Sequence, residues 1–256
     1  MPGDSFSRRP YLQQNRGRVS AARVVPSAPG FGLRGVFLSS PPLFYVDSSR
    51  PGTITQAAGV VSAWADPDSG LSLTAAGSAQ PLYSAADVAF NNQPSLTGDG
   101  VDDTMSVVLD RPAPLTQPTF IFAVVMSISH TANDALWGAA SNTMVVNQGA
   151  ASPNLLIRNT LAGGNNGNLA VGAVGVVAAY YDGTAAAYSR VGSTAKVTGV
   201  DVGNTDPPSP FNVFSRGTAG FWNGTMCLFC VCAADPTPTE YTAALAYCNT
   251  TFGTPT

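Results

Sequence analysis

From Leu43 onward the chain is built from short apolar runs, each cut by Gly, Asn, Asp or Pro within eight to fifteen residues. That punctuation suits short strands joined by turns and points to an all-β sandwich or barrel. Branched and aromatic residues dominate the runs. The expected strands are 43–47, 60–66, 94–100, 104–109, 119–128, 143–148, 154–159, 175–183, 185–192, 211–216 and 224–233. The Asp182-Gly183 pair in "YYDGTAAAY" predicts a hairpin with a tight turn. One helix is expected near the end, in "DPTPTEYTAALAYCNTTFG", with Thr237 or Thr239 as its cap, Glu240 in its first turn and Gly253 after it. Tyr241, Leu245 and Cys248 recur at helical spacing and should face the sandwich. No period of 20 to 50 residues repeats. The reading is one domain, residues 42–256, behind an extended arm, residues 1–41, rich in Arg, Pro, Gly and Ser.

Charge is scarce and unevenly placed. Charged residues make up 11% of the 256, against about 25% in ordinary soluble domains. Lys196 and Glu240 are the only lysine and glutamate. Such a surface loses little side-chain entropy when covered, which suits lasting contact with partners. Residues 1–34 hold six Arg against Asp4 alone, while the whole chain carries a net charge of −3. A basic arm on an acidic body fits nucleic acid, an anionic membrane or an acidic groove on a protein, as well as a plain solvated tail. No apolar run reaches the ~20 residues of a membrane span, and "MPGDSFSRRPYLQQ" lacks the apolar core of a signal peptide, so a cytoplasmic origin is expected. Cys227, Cys230, Cys232 and Cys248 do not have zinc-knuckle spacing. Cys230 and Cys232 should share one strand face with Cys227 on the other, and buried free thiols are expected ahead of a disulfide to Cys248 or a metal.

Several blocks then fall into a familiar order. "VVSAWADPDSGLSLTAAGSAQPLYSAADVAFNNQPSLTGDGVDD", "VVAAYYDGTAAAYSRVG" and "FNVFSRGTAGFWNGTMCLFCVCAADPTPTEYTAALAYCNTTFG" resemble, in sequence order, the concanavalin A-like (laminin-G-like) lectin/glucanase sandwiches of phage and bacterial surface proteins. The resemblance covers about residues 43–254. It implies a jelly-roll sandwich of two antiparallel sheets with one short C-terminal helix, and it bears on fold far more than on function.

Asp99, Asp102 and Asp103 fall where that family makes a tight connection between strands, and Asp beside Gly is what such a turn wants. Calcium is the competing reading, with Asn91, Asn92 or backbone carbonyls adding oxygens toward the six to eight it needs. A glycosidase needs two carboxyl groups flanking the scissile bond. The family's glucanases pair glutamates on one strand, whereas Glu240 stands alone, and Pro67 separates Asp66 from Asp68 in "WADPDSG". The expectation is therefore no enzyme. His130, the single histidine, has Ser127, Ser129 and Asp134 nearby, but no nucleophile elbow is present. "LAGGNNGNLAVGAVG" lacks the Lys-Ser/Thr of a phosphate loop and reads as a flexible loop. Trp64 should be core, whereas Trp137 in "NDALWGAASN" and Trp222 in "GFWNG" adjoin Gly and Asn at loop edges and are candidate sugar contacts.

The functional expectation is a bacteriophage virion structural protein, a capsid decoration, cement or other displayed accessory protein, made in the host cytoplasm. Its partners would be other virion proteins, with copies in a homo-oligomer or symmetric array. Arg8, Arg9, Arg16, Arg18 and Arg23 of the arm would grip neighbouring subunits. The alternative is a carbohydrate-binding adhesin of a tail or head fibre that recognises a host glycan. Nucleic acid ranks low, because only Phe6 and Tyr11 interleave the arm's arginines. No membrane partner and no cofactor other than calcium is expected.

Overall fold

The computed structural model describes residues 32–109, 115–150, 152–159, 165–183, 187–198, 203 and 205–255. Its strands are β1 (Pro42–Asp47), β2 (Ile54–Ala57), β3 (Val60–Ala65), β4 (Ser72–Thr74), β5 (Leu82–Asp87), β6 (Gln93–Asp99), β7 (Met105–Val107) and β8 (Thr119–Ser127). They continue with β9 (Ala135–Ala139), β10 (Thr143–Gln148), β11 (Asn154–Arg158), β12 (Asn165–Asn168), β13 (Val174–Tyr181), β14 (Tyr188–Val191), β15 (Phe211–Val213) and β16 (Asn223–Cys232). The helix α1 (Pro238–Phe252) is the one α-helix among the described residues.

The strands pair antiparallel in the order β12-β11-β10-β9-β15-β7-β4-β3-β5-β6-β16-β8-β13-β14, with β1 on β16 and β2 on β3. Two layers were expected, yet the ladder is continuous. The reason is local: β4 and β7 share only the pair Thr74↔Ser106, and β3 and β5 only Val60↔Leu82. These narrow bridges turn the sheet at its corners, so two broad antiparallel layers face each other as halves of one ladder. The far ends also approach. A Cβ on Gly167 of β12 would lie 2.7 Å from Val191 Cγ2 of β14, so the sandwich is nearly a closed barrel.

The two-residue periodicity of strands sends alternate side chains to opposite faces. In β8, Ile121, Ala123 and Val125 enter the core between the layers, where Trp64, Trp137, Trp222 and Phe229 are fully buried. Phe120, Phe122 and Val124 enter a second core beneath α1, with Tyr241, Leu245, Cys248 and Phe252. Leu33 and Phe37, from the last part of the segment read as an arm, join this second core. Because β8 is covered on both faces it reads as an unbroken apolar run.

The ends of α1 follow its sequence. Thr237 caps it, Glu240 completes a reciprocal capping box, and Gly253 at φ 70° donates its N–H to Asn249 O at 3.0 Å.

Three local expectations are corrected. The ladder of β13 and β14 pairs Tyr180 with Tyr188, so Asp182 and Gly183 belong to a longer connection rather than a two-residue turn. Part of the glycine-rich stretch is the strand β12, paired with β11. Cys227 does not face away from Cys230 and Cys232: a bulge between Met226 and Leu228 resets the alternation, and all four cysteines lie in the second core as buried free thiols.

Candidate functional site

The same alternation builds a polar groove on the outer face of one layer. Leu73, Met105, Val107, Phe211 and Val213 anchor β4, β7 and β15 in the core, which turns Thr74, Ser106 and Asn212 outward. The register sets these three in a row, Thr74↔Ser106 and Ser106↔Asn212, with Asn212↔Gly138 continuing it onto β9. Ser106 Oγ donates to Asn212 Oδ1 at 2.7 Å, and Asn212 Nδ2 donates to the Gly138 and Pro210 carbonyls at 3.3 Å each. These bonds fix the floor of the groove without using the oxygen lone pairs of Ser106.

Two clefts meet at Ser106. One, of about 580 Å³, is lined by Thr104, Ser106, Asn142, Asn212, Arg216 and Thr218, among others. The other, of about 610 Å³, extends it over Ser72, Thr74 and Val108. The turn Ala140–Asn142 walls one side and the turn 216–219 another. Arg216 N donates to Ala219 O at 3.2 Å, Thr104 and Ser215 hydroxyls bond at 2.6 Å, and Arg216 Nη1 donates to Asn142 Oδ1 across the groove.

Asn142 in one wall, and the core residues Met144 and Phe214 two positions from lining residues, have unusual backbone. Asn142 (φ 59°), Met144 (φ 46°) and Phe214 (φ 65°) are left-handed non-glycine residues, and Met and Phe adopt that region rarely. Each costs about 1–3 kcal/mol and persists only where its surroundings enforce it. The enforcement is visible. Met144 N donates to Asn159 Oδ1 at 3.1 Å, Phe214 N donates to Leu136 O at 2.9 Å, and the Phe214 ring stacks on Trp222 at 6.0 Å. Nearby, burial raises the Asp134 carboxyl above its ordinary pKa, against smaller downward pulls from a Thr131 hydrogen bond and the Arg216 charge.

Asp99, Asp102 and Asp103 do converge, with carboxylate oxygens within 4.8 Å of one another. Much of that convergence is turn geometry. Asp99 Oδ1 accepts from Val101 N at 2.7 Å, and Asp103 Oδ2 accepts from Asp99 N at 2.8 Å. Burial, supported by the charges of Asp99 and Asp102, raises Asp103 to about 6 despite the Asp99 N–H. The donor set is of the kind that takes a hard divalent cation.

Trp137 and Trp222 are corrected as sugar contacts: both are 0% exposed, and the Trp222 indole N–H donates to Ser127 Oγ at 3.2 Å inside the sandwich. Their neighbouring glycines do not mark loop edges but make room. A Cβ on Gly224 would lie 2.2 Å from the Trp222 ring, and one on Gly138 would lie 2.5 Å from Val145. His130 Nε2 donates to Leu169 O at 2.9 Å and ties two loops together. Asp66 and Asp68 clamp Arg34 at 2.5 and 2.8 Å. Arg8, Arg9, Arg16, Arg18 and Arg23 lie outside the described residues. The groove residues escaped sequence reasoning. The one signal was Asn212 between Phe211 and Val213, a polar residue at an outward position of an otherwise buried strand.

No family model and no curated sequence matches the chain. Solved structures do match in fold. An arabinofuranosidase complexed with arabinofuranosyl-alpha-1,2-xylobiose matches with a TM-score of 0.62 at 11% identity, over 86% of this chain and 65% of that one. A GH54 α-L-arabinofuranosidase soaked with a cyclic sulfate inhibitor gives 0.59 at 12%, over 86% and 66%. This chain thus spans less than two thirds of either arabinofuranosidase. Domain 4 of AbnA, a GH43 extracellular arabinanase from Geobacillus stearothermophilus in complex with arabinotriose, gives 0.55 at 10%, over 80% of this chain and 98% of that one. The expectation of no enzyme is corrected by these neighbours: the fold occurs in glycoside hydrolase chains, so one glutamate does not exclude catalysis from it. The all-β sandwich is the fold that these hydrolase chains and the arabinotriose-bound domain share with this one.

Proposed function

We propose that this chain is a carbohydrate-binding β-sandwich of the concanavalin A-like kind, and that the groove across β4, β7 and β15 seats the saccharide. The observation that carries the reading is the groove itself. Hydroxyls and an amide on strands β4, β7 and β15 meet one guanidinium carried by the turn 216–219 and held by the left-handed Asn142, as expected of a pre-organised polar site. Its fold is also that of a domain solved in complex with arabinotriose, which lends support of a general kind. The test is a glycan array probed with the full chain and with Ser106→Leu, which fills the junction of the two clefts. Binding abolished by Ser106→Leu at unchanged thermal stability supports the reading, and binding indifferent to it refutes it. The same samples should be assayed for released reducing ends, since hydrolases share the fold.

A second role is favoured by the five arginines against one aspartate in residues 1–31. In this proposal the basic segment docks on acidic surfaces of a bacteriophage virion and displays the sandwich there in many copies. Deleting residues 1–31 should then abolish incorporation into particles while leaving a folded domain. Normal incorporation would end that proposal.

A further inference from the structure

Arg216 differs from Arg34, Lys196 and Arg190. Arg34 is neutralised by Asp66 and Asp68, Lys196 by Asp235, and the Arg190 guanidinium lies 3.0 Å over the Tyr241 ring. Arg216 has no such partner: among the described residues no carboxylate forms an ion pair with it. Its Nη1 is held by Asn142 Oδ1, a neutral acceptor that orients the guanidinium without cancelling its charge. Asp134 lies close enough for each charge to feel the other, yet makes no ion pair with it.

The rest of the lining agrees. No Asp or Glu lines either cleft, although the protein as a whole carries −3. A half-buried, oriented guanidinium in a groove otherwise lined by hydroxyls, two amides and small apolar groups is a site for an anion carried on a polyhydroxyl frame. The planar fork of arginine matches a carboxylate through two parallel N–H···O bonds, which a lysine cannot reproduce. The hydroxyls of Thr104, Ser106 and Thr218 suit sugar hydroxyls beside it.

The geometry points to a saccharide bearing a carboxylate as the ligand of this groove, with Arg216 recognising the charge. This rests on the reading of the groove as a glycan site and names the class of sugar it takes. Uronates within a polysaccharide and terminal sialates both carry the required group.

The experiment is calorimetric titration of the full chain with tetragalacturonate, with 3′-sialyllactose, and with the neutral controls arabinotriose and lactose, at 50 and 500 mM salt. One or both acidic sugars should bind more tightly than their neutral controls, and that preference should shrink at high salt. Arg216→Gln should weaken acidic binding about ten- to hundredfold, and Arg216→Lys should restore only part of it. Which acidic sugar responds identifies the source. Equal binding of acidic and neutral sugars, unmoved by salt and by Arg216→Gln, overturns the inference but leaves a neutral-glycan groove standing. Absence of binding to any sugar here and on the array overturns both. Should Arg216→Gln fail to fold, the wild-type salt dependence and Arg216→Lys still decide the matter.

Discussion

Replacing Glu240 with Gln should loosen the joint between the start of the described chain and helix α1. The carboxylate accepts from Ser39 N at 2.6 Å and from the Ser39 hydroxyl, and from Thr237 N and Oγ1 at 2.9 and 2.8 Å. Partial burial alone would push its pKa up, but these four bonds outweigh it and hold the group at about 2, against an ordinary 4.5. A pKa lower in the fold than in the unfolded chain means that ionised Glu240 stabilises the fold. That stability is complete above pH ~5 and is lost as the pH falls toward 2. The gap sets a ceiling of about 3.4 kcal/mol, and solvent reaching the carboxylate reduces this to about 1.5–2 kcal/mol. In a chain of this size that is a loss of roughly 3–8 °C in melting temperature. Urea and thermal unfolding of wild type and Glu240→Gln at pH 7 and pH 3 provide the assay. The variant should be less stable at pH 7, and the difference should fall by more than half at pH 3. Equal stability at pH 7, or a difference independent of pH, would refute the clamp.

Two further outcomes follow from the same structure. Asp103, raised to about 6 mainly by burial, should make the wild-type fold lose stability as pH rises from about 4 to about 6, because the fold disfavours the charged form. Asp103→Asn, which keeps an oxygen for Asp99 N, should flatten that decline by about 1–3 kcal/mol in urea titrations at pH 4.5 and 7, and an unchanged slope would count against it. Gly138→Ala puts a Cβ 2.5 Å from Val145 Cγ2 on the neighbouring strand and should cost about 1–3 kcal/mol, with weakened saccharide binding because the groove floor shifts. A melting temperature within 1 °C of wild type would contradict that packing.

How much was legible in the sequence depended on whether an element carries its own signal. β8, β10, β13 and β16 announced themselves as branched and aromatic runs, and α1 through Thr237, Glu240 and Gly253. β2, β4, β5, β9 and β12 did not, because sequences such as "ITQA" and "NNGN" owe their extended form to partners rather than to their own propensity. The tryptophans were misplaced for a related reason. Glycine beside Trp137 and Trp222 resembles turn punctuation, yet here it serves close packing, which only the tertiary neighbours Val145 and the indole ring disclose. The groove draws on residues 70–74, 104–108, 140–142 and 210–219, and nothing local links these four stretches before the ladder aligns them.

β16 lies against β8 along one edge, and along the other against β6 in its first half and β1 in its second. Residues 223–232 leave a ribosome after β1–β15, so the centre of one layer stays open until they follow. Until they emerge, β1 and β6 have no shared partner and the apolar edge of β8 is bare, a state prone to pairing with other nascent chains. The sheet therefore cannot close before β16 has been made and is slow to fold by topology, and a message cut short before Asn223 should yield aggregates rather than a smaller working domain.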